Sequence, residues 1–196
     1  MQASHLQPQE VSTPDAESLV RDVDFPAMQD GSLYRFSFNL ETLKNDEQRE
    51  EIIAWYIEGL EQAIDREKDH FRQIRNSEGR PIAFCDPPLL FNIQANWAAG
   101  LTFVSVHPSY QRRGLGSRLL QWFCEETDKN DRFAYVLASP EGVPLYRRLG
   151  FEIVSVVPTS EGNISSMLRQ PHGIPKAIEA YGIDMAKGFG IQNTGS

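Results

Sequence analysis

The sequence predicts an α/β domain with a central mixed β-sheet flanked by helices. Three observations support this prediction: a strand, a glycine-rich turn and an amphipathic helix follow one another at 104–123, a strand–helix–strand unit follows at 133–157, and a β-hairpin precedes both. A chain of 196 residues is long enough for one domain with a sizeable hydrophobic core and too short for two such domains. We therefore expect a single α/β domain.

The amino-terminal part predicts two helices before the first strands. Residues 1–10 are polar and lack periodicity, so they are expected to be loose. A helix is expected to start with Thr13 as its cap and Pro14 at its first position, before loop residues 25–32. The clearest helix is predicted from Asn45 to about Lys68, where one apolar face is formed by Ile53, Tyr56, Ile57, Leu60 and Ile64.

A hairpin and the most informative stretch of the chain come next. Phe71–Arg75 and Arg80–Cys85 predict two paired strands around a polar turn. Val104 and Val106 then alternate with a serine as strand residues do, and Pro108 ends that strand. A helix is predicted to begin at the following glycines, because apolar residues recur at helical spacing at Leu115, Leu119, Leu120 and Phe123.

The turn between this strand and this helix has the features of an anion site. Gly114 and Gly116 let the backbone pass close to a bulky anion, since they have no Cβ. The positive end of the helix dipole faces the turn, and charge-assisted donors are supplied by Arg112, Arg113 and Arg118. Such a cradle suits a phosphate or pyrophosphate. An ordinary glycine turn with exposed arginines is the alternative.

Two common phosphate-binding motifs do not fit the turn. The loop of nucleotide hydrolases requires a Lys and a Ser or Thr after its second glycine, and that lysine is absent. The dinucleotide fingerprint requires a third small residue where this chain has Leu119. The spacing Gln111-x-x-Gly114-x-Gly116 instead resembles the acyl-coenzyme A pyrophosphate loop of the GNAT superfamily of N-acetyltransferases.

A second motif downstream strengthens the resemblance. Phe133–Ala138 predicts a strand, 143–149 predicts a short helix that ends at Gly150, and 151–157 predicts another strand. The segment 145–151 resembles the second GNAT signature, a tyrosine followed four residues later by Gly-Phe, which makes Tyr146 the signature tyrosine. The resemblance covers about residues 70–157, and an Ala-Ser-Pro-Glu-Gly run is similar to that of fungal small-molecule acetyltransferases.

The resemblance implies a fold, a co-substrate and a set of site residues. In the GNAT acyl-CoA N-acyltransferase fold, two parallel strands splay apart and admit the pantetheine arm of the coenzyme. The tyrosine of the second signature, Tyr146 here, is the general acid, although a helix tyrosine that only packs on the sheet is the alternative. The residues implied in binding acetyl-CoA are Val104, Val106, Gln111, Arg112, Arg113, Gly114, Leu115, Gly116, Ser117 and Ser139. Ser139 is equally well interpreted as a helix cap.

The general base cannot be assigned from the sequence. Many relatives carry a glutamate on the motif strand, whereas 101–106 contains no acid. His107 fits a turn element better than a base, and Glu141 or a chain of waters is an alternative. Upstream, 85–97 contains two prolines and several large apolar residues, which predicts either an acceptor-binding loop or a plug for the core. The amino-terminal strand usual in the fold is not convincing in this sequence.

Composition limits the partners and the compartment. The formal net charge of −8 argues against non-specific nucleic-acid binding, and no apolar run approaches the ~20 residues of a membrane span. We expect a cytoplasmic enzyme without a metal, with Cys85 and Cys124 as free thiols, and with a homodimer left open. The expected organisation is a flexible amino terminus (1–10), a GNAT domain (11–170) with a last strand at 163–169, and a docked helix or tail (171–196).

Three functions are compatible with these features. The first is transfer of an acetyl group from acetyl-CoA to a primary amine of a small molecule, by direct attack with Tyr146 as general acid. The second is a GNAT-like enzyme repurposed for a reaction other than acetyl transfer. The third is a non-catalytic coenzyme A-binding module.

Overall fold

A computed structural model describes residues 6–29, 31, 45–66, 71–86, 89–93, 96–101 and 103–172. The strands within 89–98 are described by their backbone. Of the predicted carboxy-terminal helix or tail, 173–196 lie outside the described residues, as do the two prolines 87 and 88. The tail and the apolar side chains of 85–97 therefore remain predictions.

Nine strands, four helices and the short 3₁₀ turn Pro108–Tyr110 follow one another in the described residues. The strands are β1 (Gln9–Glu10), β2 (Arg72–Arg75), β3 (Pro81–Cys85), β4 (Leu89–Ile93), β5 (Asn96–Leu101), β6 (Val104–Val106), β7 (Phe133–Ala138), β8 (Glu152–Thr159) and β9 (Gly162–Arg169). Helix α1 joins four consecutive segments, Thr13–Asp15, Ala16–Ser18, Leu19–Asp24 and Phe25–Met28, the third with π-helical bonding. The other helices are α2 (Asp46–Arg66), α3 (Leu115–Lys129) and α4 (Val143–Arg148).

Strands β3 to β6 form one long antiparallel hairpin with an interruption in the middle. The pairs Cys85–Val104 and Leu89–Gly100 keep the same register, because each strand advances by four residues between them. The segment 85–97 was expected to be a loop or a plug, and this prediction is wrong for its backbone. Strand β4 and the start of β5 occupy most of it, so the acceptor-binding loop expected there is not formed by 89–93.

The parallel strands β5 and β7 separate after a short stretch of pairing. Their last paired residues are Leu101 and Val136. Beyond that point β6 pairs with β3, while Leu137 and Ala138 at the end of β7 pair with β9. Strand β7 keeps β9 on one edge from Ala134 to Ala138, and its other edge loses its partner strand after Val136, which leaves a gap between β6 and the end of β7. The splayed mixed sheet predicted from the sequence is confirmed.

The helices cover two apolar clusters on the two faces of this sheet. The first lies beneath α3 and contains Leu119, Phe123 and Met167, all fully buried. The second lies beneath α1 and α2 and contains Ile53, Leu60 and Ile64 of the predicted face. Tyr56 and Ile57 pack against this second cluster as partly buried side chains. Apolar periodicity therefore predicted the buried face of α2 correctly.

Three predictions for the amino terminus need correction, the first being the loop expected at 25–32, because Phe25–Met28 continue helix α1. Strand β1 pairs with β2 through Gln9–Gln73 and Glu10–Arg72, so the end of the 1–10 segment is tied to the sheet rather than loose. The fold therefore has a short amino-terminal strand after all. Ser12, not Thr13, caps the first helix, and its amide N–H donates to the carboxylate of Asp15 at 2.9 Å.

Candidate active site

The motif strand β6 offers one of its edges to the gap in the sheet. The amide N–H of His107 donates to the carbonyl of Ile82 at 2.9 Å, so position 107 faces β3. Backbone groups alternate between the two edges of a strand, which directs those of Val104 and Val106 to the opposite edge. That edge faces the gap, as a pantetheine arm added like a strand would require.

The turn after β6 presents a row of amide groups. Gly114 has a φ of +83° and Arg112 a φ of +62°, a left-handed conformation that costs a non-glycine residue about 1–3 kcal/mol. The first hydrogen bond of α3 is donated by the amide of Arg118 to the carbonyl of Gly114 at 3.1 Å. Among the described residues, the amides of 112–117 donate no hydrogen bond of their own. These six N–H groups are available to an anion.

Some side chains around the turn stabilise its backbone, and others could bind an anion. The Nε2 of Gln111 donates to the carbonyl of Val106 at 3.2 Å, which ties the turn to the end of the strand. The guanidinium of Arg113 lies 5.1 Å from the centre of the Tyr110 ring. Arg118 was expected to be a third cationic donor at the turn, but its Nη1 donates to the carbonyl of Leu6 at 3.2 Å. Arg118 therefore holds the amino-terminal segment against α3.

Gly116 lies beside Leu145 of helix α4 and Val106 of the motif strand. A Cβ at this position would lie 3.6 Å from Cδ2 of Leu145 and 3.7 Å from Cγ2 of Val106, both ordinary contact distances. The turn, the motif strand and α4 therefore meet at one point. Of the other two predicted residues of the turn, Leu115 buries its side chain in the core and Ser117 is half-buried.

Tyr146 lies on α4, which follows the end of β7 across the gap from β6. Its ring is 8% exposed and meets Phe151 edge-to-face, with centroids 5.6 Å apart. A Cβ at Gly142 would lie 3.2 Å from the ring, so glycine leaves room for it. Burial raises the pKa of Tyr146, and the charges of Asp86 and Cys85 raise it further. The phenol of an ordinary tyrosine is already protonated at neutral pH, and the raised pKa makes Tyr146 a weaker acid than usual.

Ser139 and His107, for which the sequence allowed two roles, stabilise turns. The hydroxyl Oγ of Ser139 accepts the amide N–H of Gly142 at 3.3 Å, and its carbonyl accepts the same N–H at 3.0 Å. Ser139 thus shapes the turn that leads into α4, in agreement with the capping interpretation. The Nδ1 of His107 accepts the amide N–H of Ser109 at 3.1 Å, so His107 caps the short turn Pro108–Tyr110.

Two buried carboxylates beside the motif strand were not predicted from the sequence. Asp86 is 3% exposed, and its Oδ1 accepts the amide N–H of Phe103 at 3.1 Å, within the interruption of the long hairpin. Asp24 is 6% exposed and accepts a short hydrogen bond from the hydroxyl of Ser105 on β6. Burial raises the pKa of Asp24 to about 6, and the bond from Ser105 lowers it in part.

The sequence contains only a weak signal for these acids. Asp24 stands four residues after Val20 and next to Val23, on the face of α1 that is otherwise apolar. A charged residue on a buried helix face is rarely neutral in function. Its partner Ser105 lies 81 residues further along the chain, so only the fold could bring the two together.

Two of the expectations concern membrane-spanning helices and metal sites. None of the helices in the described ranges is long and apolar enough to cross a membrane. Within the same ranges, no three side chains of His, Cys, Asp or Glu cluster as metal ligands would.

Part of the chain that carries this site is similar to known acetyltransferases. Residues 74–153 match the family model described as "Acetyltransferase (GNAT) domain". A curated protein from Stachybotrys chartarum, named "Acetyltransferase", is 43% identical over 49 residues, which make up 25% of this chain and 21% of that protein. The match thus spans about a fifth of the length of that relative.

Solved structures share the fold at low sequence identity. A histone acetyltransferase HPA2 and related acetyltransferase from Corynebacterium glutamicum superimposes with a TM-score of 0.64 at 18% identity, covering 88% of this chain and 99% of that one. Naa20 of Chaetomium thermophilum, in complex with a bisubstrate analogue, gives 0.60 at 14%, covering 85% and 87%. The paia N-acetyltransferase of Thermoplasma acidophilum, in complex with coenzyme A, gives 0.56 at 18%, covering 84% and 98%.

Proposed function

We propose that this chain, whose residues 74–153 match the GNAT acetyltransferase model, transfers an acetyl group from acetyl-CoA to a primary amine of a small molecule. The observation that carries the proposal is the meeting of three features at one gap. They are the free edge of β6, the row of amides at 112–117 and the protonated phenol of Tyr146. The coenzyme A in the similar Thermoplasma structure supports the choice of donor.

The binding residues fit the different parts of the coenzyme. The amides of 112–117 and the guanidinium groups of Arg112 and Arg113 would hold the pyrophosphate. The backbone groups of Val104 and the amide N–H of Val106 would pair with the pantetheine arm, since the carbonyl of Val106 already accepts Nε2 of Gln111. Gly116 would let the arm pass without a side chain in its way, since only Leu145 and Val106 lie near its Cβ position.

Tyr146 would act on the leaving group. Attack by the amine breaks the C–S bond of the thioester, and the departing thiolate requires a proton. Tyr146 lies on α4, and its phenol carries the proton that would pass to the thiolate. Binding that places thioester and amine side by side would supply much of the remaining acceleration.

Two variants test the roles of the turn and of the phenol. Arg113→Ala should raise the Kd for acetyl-CoA in a calorimetric titration by about tenfold, whereas Arg66→Ala, at the exposed end of α2, should leave it unchanged. Equal affinity in wild type and Arg113→Ala would refute the contribution of Arg113. Tyr146→Phe should lower turnover about 10²-fold while acetyl-CoA affinity is retained. Unchanged turnover would refute Tyr146 as the acid.

The same assays distinguish the alternative functions. A wild-type protein that binds acetyl-CoA but acetylates none of spermidine, tyramine and glucosamine would favour a repurposed enzyme or a coenzyme-binding module. Those alternatives were considered because the motif strand contains no acid. The carboxylate of Asp24, which accepts the hydroxyl of Ser105, places an acid beside that strand and makes the alternatives less favoured.

A further inference from the structure

A buried carboxylate contacts the motif strand from the side of α1. It has no role in the steps of acetyl transfer proposed for the turn and for Tyr146. Asp24 accepts the hydroxyl hydrogen of Ser105, and both residues are nearly inaccessible, at 6% and 5% exposure. Their contact places an acid beside a strand that has none in its own sequence.

Asp24 is poorly compensated for a buried carboxylate. An ionised carboxylate in the interior normally has a cation or several hydrogen-bond donors. Among the described residues, Ser105 is the one donor that Asp24 has, and no charged side chain contributes to its pKa. Asp128, by contrast, has a cationic partner. Arg169 donates two N–H groups to its carboxylate and lowers its pKa.

The surroundings of Asp24 contain few other titratable groups. Strand β6 carries none, and β3 carries only Cys85, whose pKa is raised well above its ordinary value by burial. On α2, Glu50 and Asp65 reach α1, but they do so through Arg21 and Thr13. The next buried acid along the hairpin is Asp86, which accepts the amide of Phe103.

Asp24 and Tyr146 lie on opposite faces of the sheet. Tyr146, Val104 and Val106 belong to the apolar cluster beneath α3, whereas Phe103 and the apolar residues around Asp24 belong to the cluster beneath α1 and α2. In a direct attack, the amine nitrogen loses a proton and the departing sulfur gains one, so the reaction needs a proton acceptor and a proton donor at two different atoms. An acceptor and a donor held on different faces of the sheet could serve these two atoms separately.

We propose that Asp24 is the proton acceptor of the transfer reaction and that the acceptor amine enters from the α1 side of β6. This inference rests on the proposed function. The amine nitrogen forms a bond with the thioester carbonyl carbon and loses a proton to the Asp24 carboxylate. The C–S bond breaks, and the thiolate takes the phenolic proton of Tyr146. Exchange with solvent restores the carboxylate and the phenol.

The test compares Asp24→Asn with wild type on whichever of spermidine, tyramine and glucosamine the wild type acetylates. Asparagine keeps the size of the side chain and a hydrogen bond to Ser105 but cannot accept the proton. We expect kcat to fall about 10²-fold or more, the Kd for acetyl-CoA to stay unchanged, and the acidic limb of the pH–rate profile to disappear. Asp22→Asn, on an exposed neighbour in the same helix, should leave all three unchanged.

Ser105→Ala separates a catalytic from a structural role. The hydrogen bond from Ser105 lowers the pKa of Asp24, so its loss should move the acidic limb to higher pH and leave the plateau rate above it largely intact. A full acidic limb in Asp24→Asn, or its loss in Asp86→Asn instead, would overturn the assignment. If wild type acetylates none of the amines, the proposed function itself fails, and the assignment fails with it.

Discussion

Replacing Asp24 by asparagine is expected to stabilise the unliganded protein at neutral pH, although it should abolish most of the activity. Burial raises the pKa of this carboxyl from its ordinary 3.8 to about 6 in the folded state. Between these values the folded protein keeps a proton that the unfolded chain has lost. The free energy of unfolding therefore falls as pH rises through this window.

The structure gives a magnitude for this effect. Each pKa unit corresponds to about 1.4 kcal/mol, so a carboxyl whose pKa rises from 3.8 to about 6 lowers the stability above pH 6 by about 3 kcal/mol. Below pH 3.8 both states are protonated and the penalty vanishes. The stability of Asp24→Asn minus that of wild type should therefore grow by about 3 kcal/mol between about pH 4 and pH 7.

Urea unfolding followed by tryptophan fluorescence measures this difference directly, because the free energy of unfolding extrapolates linearly to zero denaturant. Asp22→Asn serves as the control, and its difference from wild type should be small and independent of pH. A pH-independent difference for Asp24→Asn, or a less stable Asp24→Asn at about pH 7, would refute the reasoning. Either result would mean that the folded protein compensates the ionised carboxylate.

Other substitutions test the site and its supports. Gly116→Ala should leave the melting temperature nearly unchanged, because its Cβ would make ordinary contacts, but should raise the Kd for acetyl-CoA about tenfold in a titration. Gly114→Ala places a side chain at a φ of +83° and should lower the free energy of unfolding by about 1 kcal/mol in urea. Arg169→Leu leaves Asp128 without its buried partner and should cost about 3–5 kcal/mol, measured in the same way.

Local patterns in the sequence predicted most of the fold. The apolar face of α2, the hairpin of β2 and β3, and the units around β6 and β7 follow from periodicity and turn residues within short windows. The segment 85–97 was misjudged because prolines and apolar residues suggest a loop in isolation. Strands β4 and β5 form a tight hairpin, and β5 pairs in parallel with β7, which lies far along the chain, so that this second pairing leaves no local signal.

The site was predictable where it consists of one continuous turn. The backbone of 104–117 and its glycines can be inferred from neighbouring residues, and the resemblance to the GNAT signatures pointed to Tyr146. The roles of Arg118 and Asp24 could not be inferred in this way. Arg118 binds the carbonyl of Leu6 and Asp24 binds Ser105, and both partners are brought close only by the packing of α1 and the amino terminus on the domain.

Mass analysis of a reaction between acetyl-CoA and a primary amine tests the central claim most directly. The wild-type protein should release coenzyme A thiol only when an amine is present and should yield one amine carrying one acetyl group per thiol released. Tyr146→Phe and Asp24→Asn should slow both products together. Thiol release without an acetylated amine, or no dependence on the amine, would contradict transfer to an amine acceptor.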